Sequence, residues 1–512
     1  MATKPTAQQF ILLPPRGLRS SAIPATHELT SFLASLHTAV GAGAHRVAPT
    51  ASSSAARGAK PGVTLRVLDS IHEDGAKLVE LSPQAVANLR AQQSGMRIVR
   101  VVYFRPAVAP RPTIAARPKT ATAGVSAKIA VKVVSRKDGK PVPGADVVAF
   151  TNFQNRIGAQ GTTSSKGEVS LALGAAKKKL ERLYIFPRVN FWGLLKKNLT
   201  ITSGQEFGLL PVDLGFTDAL RFFYSNSPAG AGAPLKVGVI DTGIASHSDL
   251  VIDGGVNTVT GENPNDFGDN GAGHGTHVAG IIAARGIPPT GIRGLASGVI
   301  LRSYRVFGKN REEASNFAIA KAIDRAVADG CDLINMSLGG GAPDEATQEA
   351  IADARAQGTV VIAAAGNDDR SPVSFPASNS LALAVSALGR KGTFPSDTTQ
   401  GGDVAAPFGK PDKRNFIASF SNVGPEIDLT GPGVGILSTF PGGYAPLDGT
   451  SMACPAVTGA AARLLSAPAH AVILAMSRDQ GRSDAMVQAI LSAANSLGFG
   501  STFEGQGLLL VA

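Results

Sequence analysis

The spacing of apolar residues changes three times along this chain of 512 residues. Over the last stretch, residues 231–512, short apolar runs at 236–240, 299–306, 332–336 and 359–365 predict buried strands. Between and after them, apolar positions recur every three or four residues and predict helices over 312–329, 342–357 and 452–465, the first two closed by Gly330 and Gly358. Strands alternating with helices predict an α/β domain over 206–512 with a doubly wound, mostly parallel sheet, because right-handed crossovers lay successive strands side by side.

Upstream the period falls to two. Ile129, Val131 and Val133, then 146–150 and 168–173, alternate around turn-forming stretches such as 137–144, which predicts a small β-sandwich over 123–205. Farther upstream, strands at 63–68 and 77–81, a helix opened by Ser82-Pro83 and stopped at Gly95, and a strand at 96–104 predict a small α+β unit over 62–105. The Pro-rich, basic stretch 106–122 reads as a linker. Residues 1–61 read as a partly flexible segment, since 38–61 are mostly Ala, Gly, Ser and Thr.

Charge divides the chain in the same way: formal charge is +18 over residues 1–230 and −7 over 231–512. Opposite charge on two halves predicts that they dock on each other. The basic residues are dispersed and no nucleic-acid-binding motif accompanies them, so no nucleic-acid partner is expected. The one basic cluster, Lys177-Lys178-Lys179, reads as a solvated loop. No apolar run approaches a membrane span, and the early run 10–13 is cut by Pro14-Pro15. With no secretory leader pattern, a cytoplasmic location is the simplest expectation, other routes of secretion remaining open. The two cysteines, Cys331 and Cys454, imply free thiols and no disulfide framework.

Candidate chemistry falls where the α/β pattern brings chain ends together. Asp241-Thr242-Gly243 breaks a buried strand at its carboxyl end, where open α/β sheets bind ligands. His274 opens a helix after the loop 266–273, and Ser451 opens another whose first-turn N–H groups are unpaired. A serine hydroxyl becomes a useful nucleophile only when a placed imidazole removes its proton, so these residue types belong together.

The stretches 237–243, 274–280 and 449–453 resemble, together and in the order Asp, His, Ser, the subtilisin-like serine peptidases (subtilases, peptidase family S8), over residues 210–512. That order is known from subtilisin itself. The resemblance implies a serine endopeptidase that works through an acyl-enzyme, with Ser451 as nucleophile, His274 as general base and Asp241 holding the imidazole. It implies further that Asn367 and the Ser451 N–H stabilise the oxyanion, and that His277 is structural. Ser337, Leu338 and Gly339 are expected to form one wall of the primary substrate pocket, and Ala364, Ala365 and Gly366 the other, with Asp368 at the rim. The expected partner is a protein or peptide substrate. The unit at 62–105 resembles the family's inhibitory propeptides, and the β-sandwich resembles bacterial immunoglobulin-like or carboxypeptidase-regulatory-like modules, so the amino-terminal half is expected to regulate the enzyme. No cofactor is expected. Asp249 matches a position that often ligates calcium in the family, but the companion loop 285–291 lacks the side-chain amide, so no metal is expected either. The competing reading is a binding or targeting factor whose peptidase domain is held inactive.

Overall fold

The computed structural model describes residues 7–19, 27–41, 43–47, 63–93, 95–115, 127–225 and 227–511. Most of the stretch expected to be flexible, 48–61, and the linker residues 116–122 lie outside them.

The first sheet comprises β1 (Gln8–Leu13), β2 (His45–Val47), β3 (Val63–Ser70), β4 (Lys77–Leu81) and β5 (Arg97–Arg100), in the order β2-β3-β4-β1-β5. Helices α1 (His27–His37) and α2 (Pro83–Gln92) cover one face, where Phe10 and Leu12 pack with Leu33 and Leu89. The other face, with Ile11, Leu13 and Leu78, packs on the helices of the large domain. Burial on both faces is why 10–13 form a continuous apolar run. The structure therefore departs from the sequence reading, which left residues 1–61 outside this unit: β1 is an inner strand, paired with β4 and β5. The single strand expected over 96–104 is two, β5 in this sheet and β6 (Tyr103–Pro106) outside it.

The next region contains β7 (Lys128–Ser135), β8 (Asp146–Asn152), β9 (Ile157–Thr162), β10 (Glu168–Ala172), β11 (Lys177–Phe186), β12 (Leu194–Thr202) and β13 (Gln205–Leu209). They form a three-stranded sheet, β10-β7-β13, and a four-stranded sheet, β12-β11-β8-β9. Alternate residues of both, among them Val131, Val147, Leu171, Leu183, Ile201 and Phe207, share one core. The opposite face of the four-stranded sheet is aromatic, with Phe150, Tyr184 and Phe186 side by side. Lys177-Lys178-Lys179 is the start of β11, paired with Thr202, Ile201 and Thr200, and so is strand where a loop was expected. β13 runs past residue 205 and pairs in parallel with β7, so this region extends beyond the expected boundary.

The large domain runs through α3 (Ala219–Phe223), β14 (Lys236–Asp241), β15 (Gly255–Asn257), α4 (His274–Ala283), β16 (Ile300–Arg305), β17 (Ala314–Ser315), α5 (Asn316–Ala328), β18 (Leu333–Met336), β19 (Leu338–Gly339) and α6 (Glu345–Ala356). It continues through β20 (Val360–Ala364), β21 (Ala382–Arg390), β22 (Asn415–Ile417), β23 (Ile427–Pro432), the hairpin β24 (Ile436–Phe440) and β25 (Gly443–Leu447), and α7 (Thr450–Leu465). The central sheet is β15-β16-β14-β18-β20-β21-β23, completed by Leu508–Leu509 and Ala494–Asn495; the pairings along this path from β15 through Leu508 are parallel, and β22 pairs antiparallel with β21 off the path. Side chains alternate across it: Val360, Ile362 and Ala364 join the core with α4 and α7, while Val361, Ala363 and Ala365 join the core with α5 and α6. This is the doubly wound arrangement that the apolar runs require. The helix expected from 312 begins later, because Ala314 and Ser315 are strand, and the Ser315 hydroxyl caps α5 by accepting the Ala318 N–H at 3.2 Å.

Candidate active site

The carboxyl ends of the parallel strands bring the sequence-predicted residues together. Asp241 ends β14, His274 begins α4, Asn367 follows β20 and Ser451 lies in the first turn of α7. Gly273 turns the chain into α4 at φ 77°, where an added Cβ would also stand 2.5 Å from the Phe440 ring. Asp241 Oδ1 and His274 Nδ1 are 2.7 Å apart, in side chains only 1% and 5% exposed. The Thr242 N–H donates to the same carboxylate oxygen at 2.7 Å, which fixes its direction. Asp241 and His274 are therefore assembled. Ser451 and His274 are not hydrogen-bonded: the Ser451 hydroxyl donates to the Ser337 carbonyl at 2.9 Å, and His274 Nε2 has no hydrogen-bond partner among the described residues. The serine must leave that carbonyl to reach the imidazole.

Asn367 Oδ1 accepts the Thr450 N–H at 2.8 Å, which leaves the Nδ2 end of the amide for a ligand oxygen. His277 lies behind the site, with Nε2 at 2.9 Å from the Ala445 carbonyl and 3.1 Å from that of Ile436. Burial lowers its pKa to about 3, so it is a neutral packing residue. Cys454 is buried too, its thiol donating to Asn335 Oδ1 at 3.2 Å, and burial pushes it up to about 12. A thiol so held stays protonated and takes no part as a nucleophile.

The cleft contains the protein's own chain. β6 lies between two edges, antiparallel to β17 (Phe104 opposite Ala314) and to β19 (Arg105 opposite Gly339, Pro106 opposite Leu338). The Ala107 N–H donates to the Ser337 carbonyl at 3.0 Å, and the Ala109 N–H to the Asp448 carbonyl at 3.0 Å. Between these two bonds the Ser451 N–H donates to the Ala107 carbonyl oxygen at 3.1 Å. Gly449, at φ 149°, permits this approach: a Cβ there would stand 2.7 Å from that oxygen and 3.2 Å from Val108 Cα. The Phe104 ring is fully buried, 5.9 Å from the Phe375 ring, and a Cβ at Gly341 would touch it at 2.5 Å.

Of the expected substrate residues, Ser337, Leu338 and Gly339 bond to this segment as main chain. Ala364, Ala365 and Gly366 are buried at the end of β20, and the Gly366 N–H donates to Thr450 Oγ1 at 3.2 Å. Asp368 accepts hydrogen bonds from Asn422 Nδ2 at 3.1 Å and Ser374 Oγ at 3.5 Å. Sequence reasoning missed the Ala314-Ser315 edge, the Gly341 and Phe375 seat and Asp448. An apolar Phe104 just before a Pro-rich stretch was the available signal. Asp249 Oδ2 accepts the Ile292 N–H at 2.8 Å and the Tyr444 hydroxyl at 2.9 Å.

Comparison with known proteins identifies the family. The sequence pattern of the Subtilase family (Peptidase_S8) matches residues 232–508. Subtilisin DY of Bacillus licheniformis is 41% identical over 241 residues, which is 46% of this chain and 78% of that protein. Subtilisin BL of Lederbergia lenta is 39% identical over 232 residues, 45% of this chain and 76% of that protein. A thermostable alkaline protease of Halalkalibacterium halodurans is 35% identical over 291 residues, 57% of this chain and 70% of that protein. The chain belongs to the subtilase family: it is a subtilisin-like serine peptidase, with the α/β fold of that family and protein or peptide substrates. Among the described residues, no single helix is long and apolar enough to cross a membrane.

Proposed function

We propose that the protein is a serine endopeptidase held dormant by its own amino-terminal half, and that Ala107–Val108 is the bond it presents to itself. In the reaction His274 takes the Ser451 proton as Oγ attacks the substrate carbonyl, and Asp241 stabilises the imidazolium. The Ser451 N–H and Asn367 Nδ2 receive the charge that develops on the carbonyl oxygen. His274 then protonates the leaving amine, an acyl-Ser451 ester remains, and water attacks it with His274 again as base. No metal or cofactor is needed for any of these steps.

The contact that carries the reading is the 3.1 Å hydrogen bond from the Ser451 N–H to the Ala107 carbonyl, which puts a peptide carbonyl on one of the proposed oxyanion donors. Strand pairing on both sides of β6 supports it, since main-chain bonds bind extended peptides irrespective of their sequence. Within this reading the five-stranded unit, together with β6 that follows it, acts as an inhibitory propeptide, and β7–β13 form a β-sandwich module that stays joined to the enzyme. The Ser451 hydroxyl turned to Ser337 fits a resting state, the point on which a permanently silent binding factor would also agree. Mass spectrometry of the purified full chain separates the two. A fragment that starts at Val108, absent from Ser451→Ala, is the expected result; an intact chain that never gains activity would overturn the proposal.

A further inference from the structure

Past Ser451 the segment in the cleft crosses onto the aromatic face of the β12-β11-β8-β9 sheet. The Ile114 N–H donates to Gln160 Oε1 at 2.9 Å, the Ala115 N–H to the Arg156 carbonyl at 2.9 Å, and the Ile114 side chain packs against the aromatic cluster. The Arg111 guanidinium lies 4.9 Å from the centre of the Phe186 ring. Its charge acts on Asp448, whose carbonyl already receives the Ala109 N–H three residues before Ser451. A cavity of about 570 Å³ borders this path, with Arg111, Tyr184, Phe186, Asp403 and Asp448 in its wall. Arg182 stacks on Phe153 at 3.6 Å, so another ring of the cluster also takes a cation.

The position of this wall relative to Ser451 is fixed by main-chain bonds. The Leu195 N–H donates to the Asp397 carbonyl at 3.0 Å, the Asn190 N–H to the Tyr444 carbonyl at 2.7 Å, and Leu194 forms a β-bridge with Thr398. A surface held to the catalytic domain in this way extends the substrate cleft.

We propose that the β7–β13 module reads the substrate residues that follow the scissile bond: Phe186 with Asp448 forms a subsite for a basic side chain four residues after it, and the Phe150–Tyr184 face a subsite for an apolar side chain seven residues after it. In the resting chain Arg111 and Ile114 fill these subsites. The inference rests on the reading of Ser451 and of the Ala107–Val108 bond given above. A substrate gains entry by displacing residues 108–115, and the Asp448 carboxyl in the cavity wall, on which the Arg111 charge already acts, favours a cation over a neutral side chain there.

Two measurements on the full chain test it. In Ser451→Ala, hydrogen exchange at the Ala109 amide should quicken about tenfold when Arg111→Ala or Phe186→Ala is added and stay near the parent rate for Arg111→Lys. Arg111 belongs to no helix or strand and to none of the buried cores, so its replacement leaves folding alone. Unchanged exchange in Arg111→Ala would overturn the subsite. In the second measurement the unmutated chain competes two peptides, Phe-Arg-Pro-Ala-Val-Ala-Pro-Arg and the same sequence ending in Ala. About tenfold faster consumption of the first is expected, falling towards parity in Asp448→Asn. Equal consumption by the unmutated chain would also overturn the subsite. Consumption of neither would count against the catalytic reading, and the exchange result then decides the subsite alone.

Discussion

The two amino-terminal regions grip the catalytic domain by different means. The five-stranded unit is held by a ring of side-chain contacts: Arg19 and His72 both meet Asp324 (3.1 and 2.7 Å), Lys321 meets Asp69 (2.6 Å), and Arg97 meets Glu349 (2.6 Å) and Glu345 (3.4 Å). An apolar face, with Ile11, Leu13 and Leu78, lies beneath these pairs. The β7–β13 module is held by main-chain bonds to the 395–402 loop and to the β24–β25 hairpin, with Arg136 and Lys196 both on Asp397. Ion pairs that solvent still reaches are individually weak and lose strength with salt, whereas main-chain bonds do not depend on screening. The overall charge contrast of the chain therefore describes two kinds of attachment, one suited to release and the other to permanence.

The largest effect expected is on chemistry. Ser451→Ala should lower peptide hydrolysis by at least about 10⁴-fold and leave the Ala107 contact in place, because the N–H that makes it is main chain. Steady-state rates with the protection of Ala109 check both halves, and retained activity would sink the assignment. Asn367→Leu should cost about 10²–10³ in kcat with little change in KM, since its donor acts on charge absent from the ground state. Equal losses in both parameters would mean that Asn367 only shapes the cleft.

The next effect addresses the two attachments directly. Arg97→Glu puts a third acid beside Glu345 and Glu349 and should speed departure of the cleaved amino-terminal unit about tenfold, read as the rate at which activity appears. Raising the salt to about 1 M should act in the same direction on the unmutated chain. Neither change should alter hydrogen exchange at Leu195 or Asn190. If salt loosens both regions alike, the distinction between them fails.

The smallest effect is on stability. Burial raises the Asp448 carboxyl to about 6, against about 4 in an unfolded chain, so the folded form binds this proton more tightly. Ionisation as the pH rises from 4 to 6 therefore costs stability, and Asp448→Asn should recover it above that window. An increase in Tm of about 3 °C at pH 8, with none at pH 4, is expected from scanning calorimetry. Gln400, whose Oε1 has no partner among the described residues, can turn its amide to accept from the new NH₂ group. A gain equal at both pH values would show that packing, not charge, explains it.

What could be read in advance divides along the same lines. Val237–Asp241 and Thr359–Asn367 announced strand, ending and chemistry at once, because a parallel strand buried on both faces carries an uninterrupted apolar run and polar residues return only where it leaves the sheet. Phe10–Leu13 carried the same signal. Its strand partners lie far along the chain, at 77–81 and 97–100, and pairing at that distance leaves no local mark. The Ala107 register was illegible for a related reason: the segment is held by main-chain bonds, which any sequence can make. The Ser451 rotamer follows from the Ser337 carbonyl, a partner more than a hundred positions away, and so was equally out of reach.

The seating of Ala107–Val108 between two docked bodies also has a bearing on time. Were the proposed bond cut, both new ends would stay side by side, one pinned by β17 and β19 and the other by Asp448 and Phe186. An amine kept at high effective concentration beside an acyl-serine competes with water for the acyl group. Under the proposed cleavage, the interval before first activity would be governed by how long the released unit lingers, a delay set by the contacts of Arg97, His72 and Lys321 and not by the speed of the catalytic step.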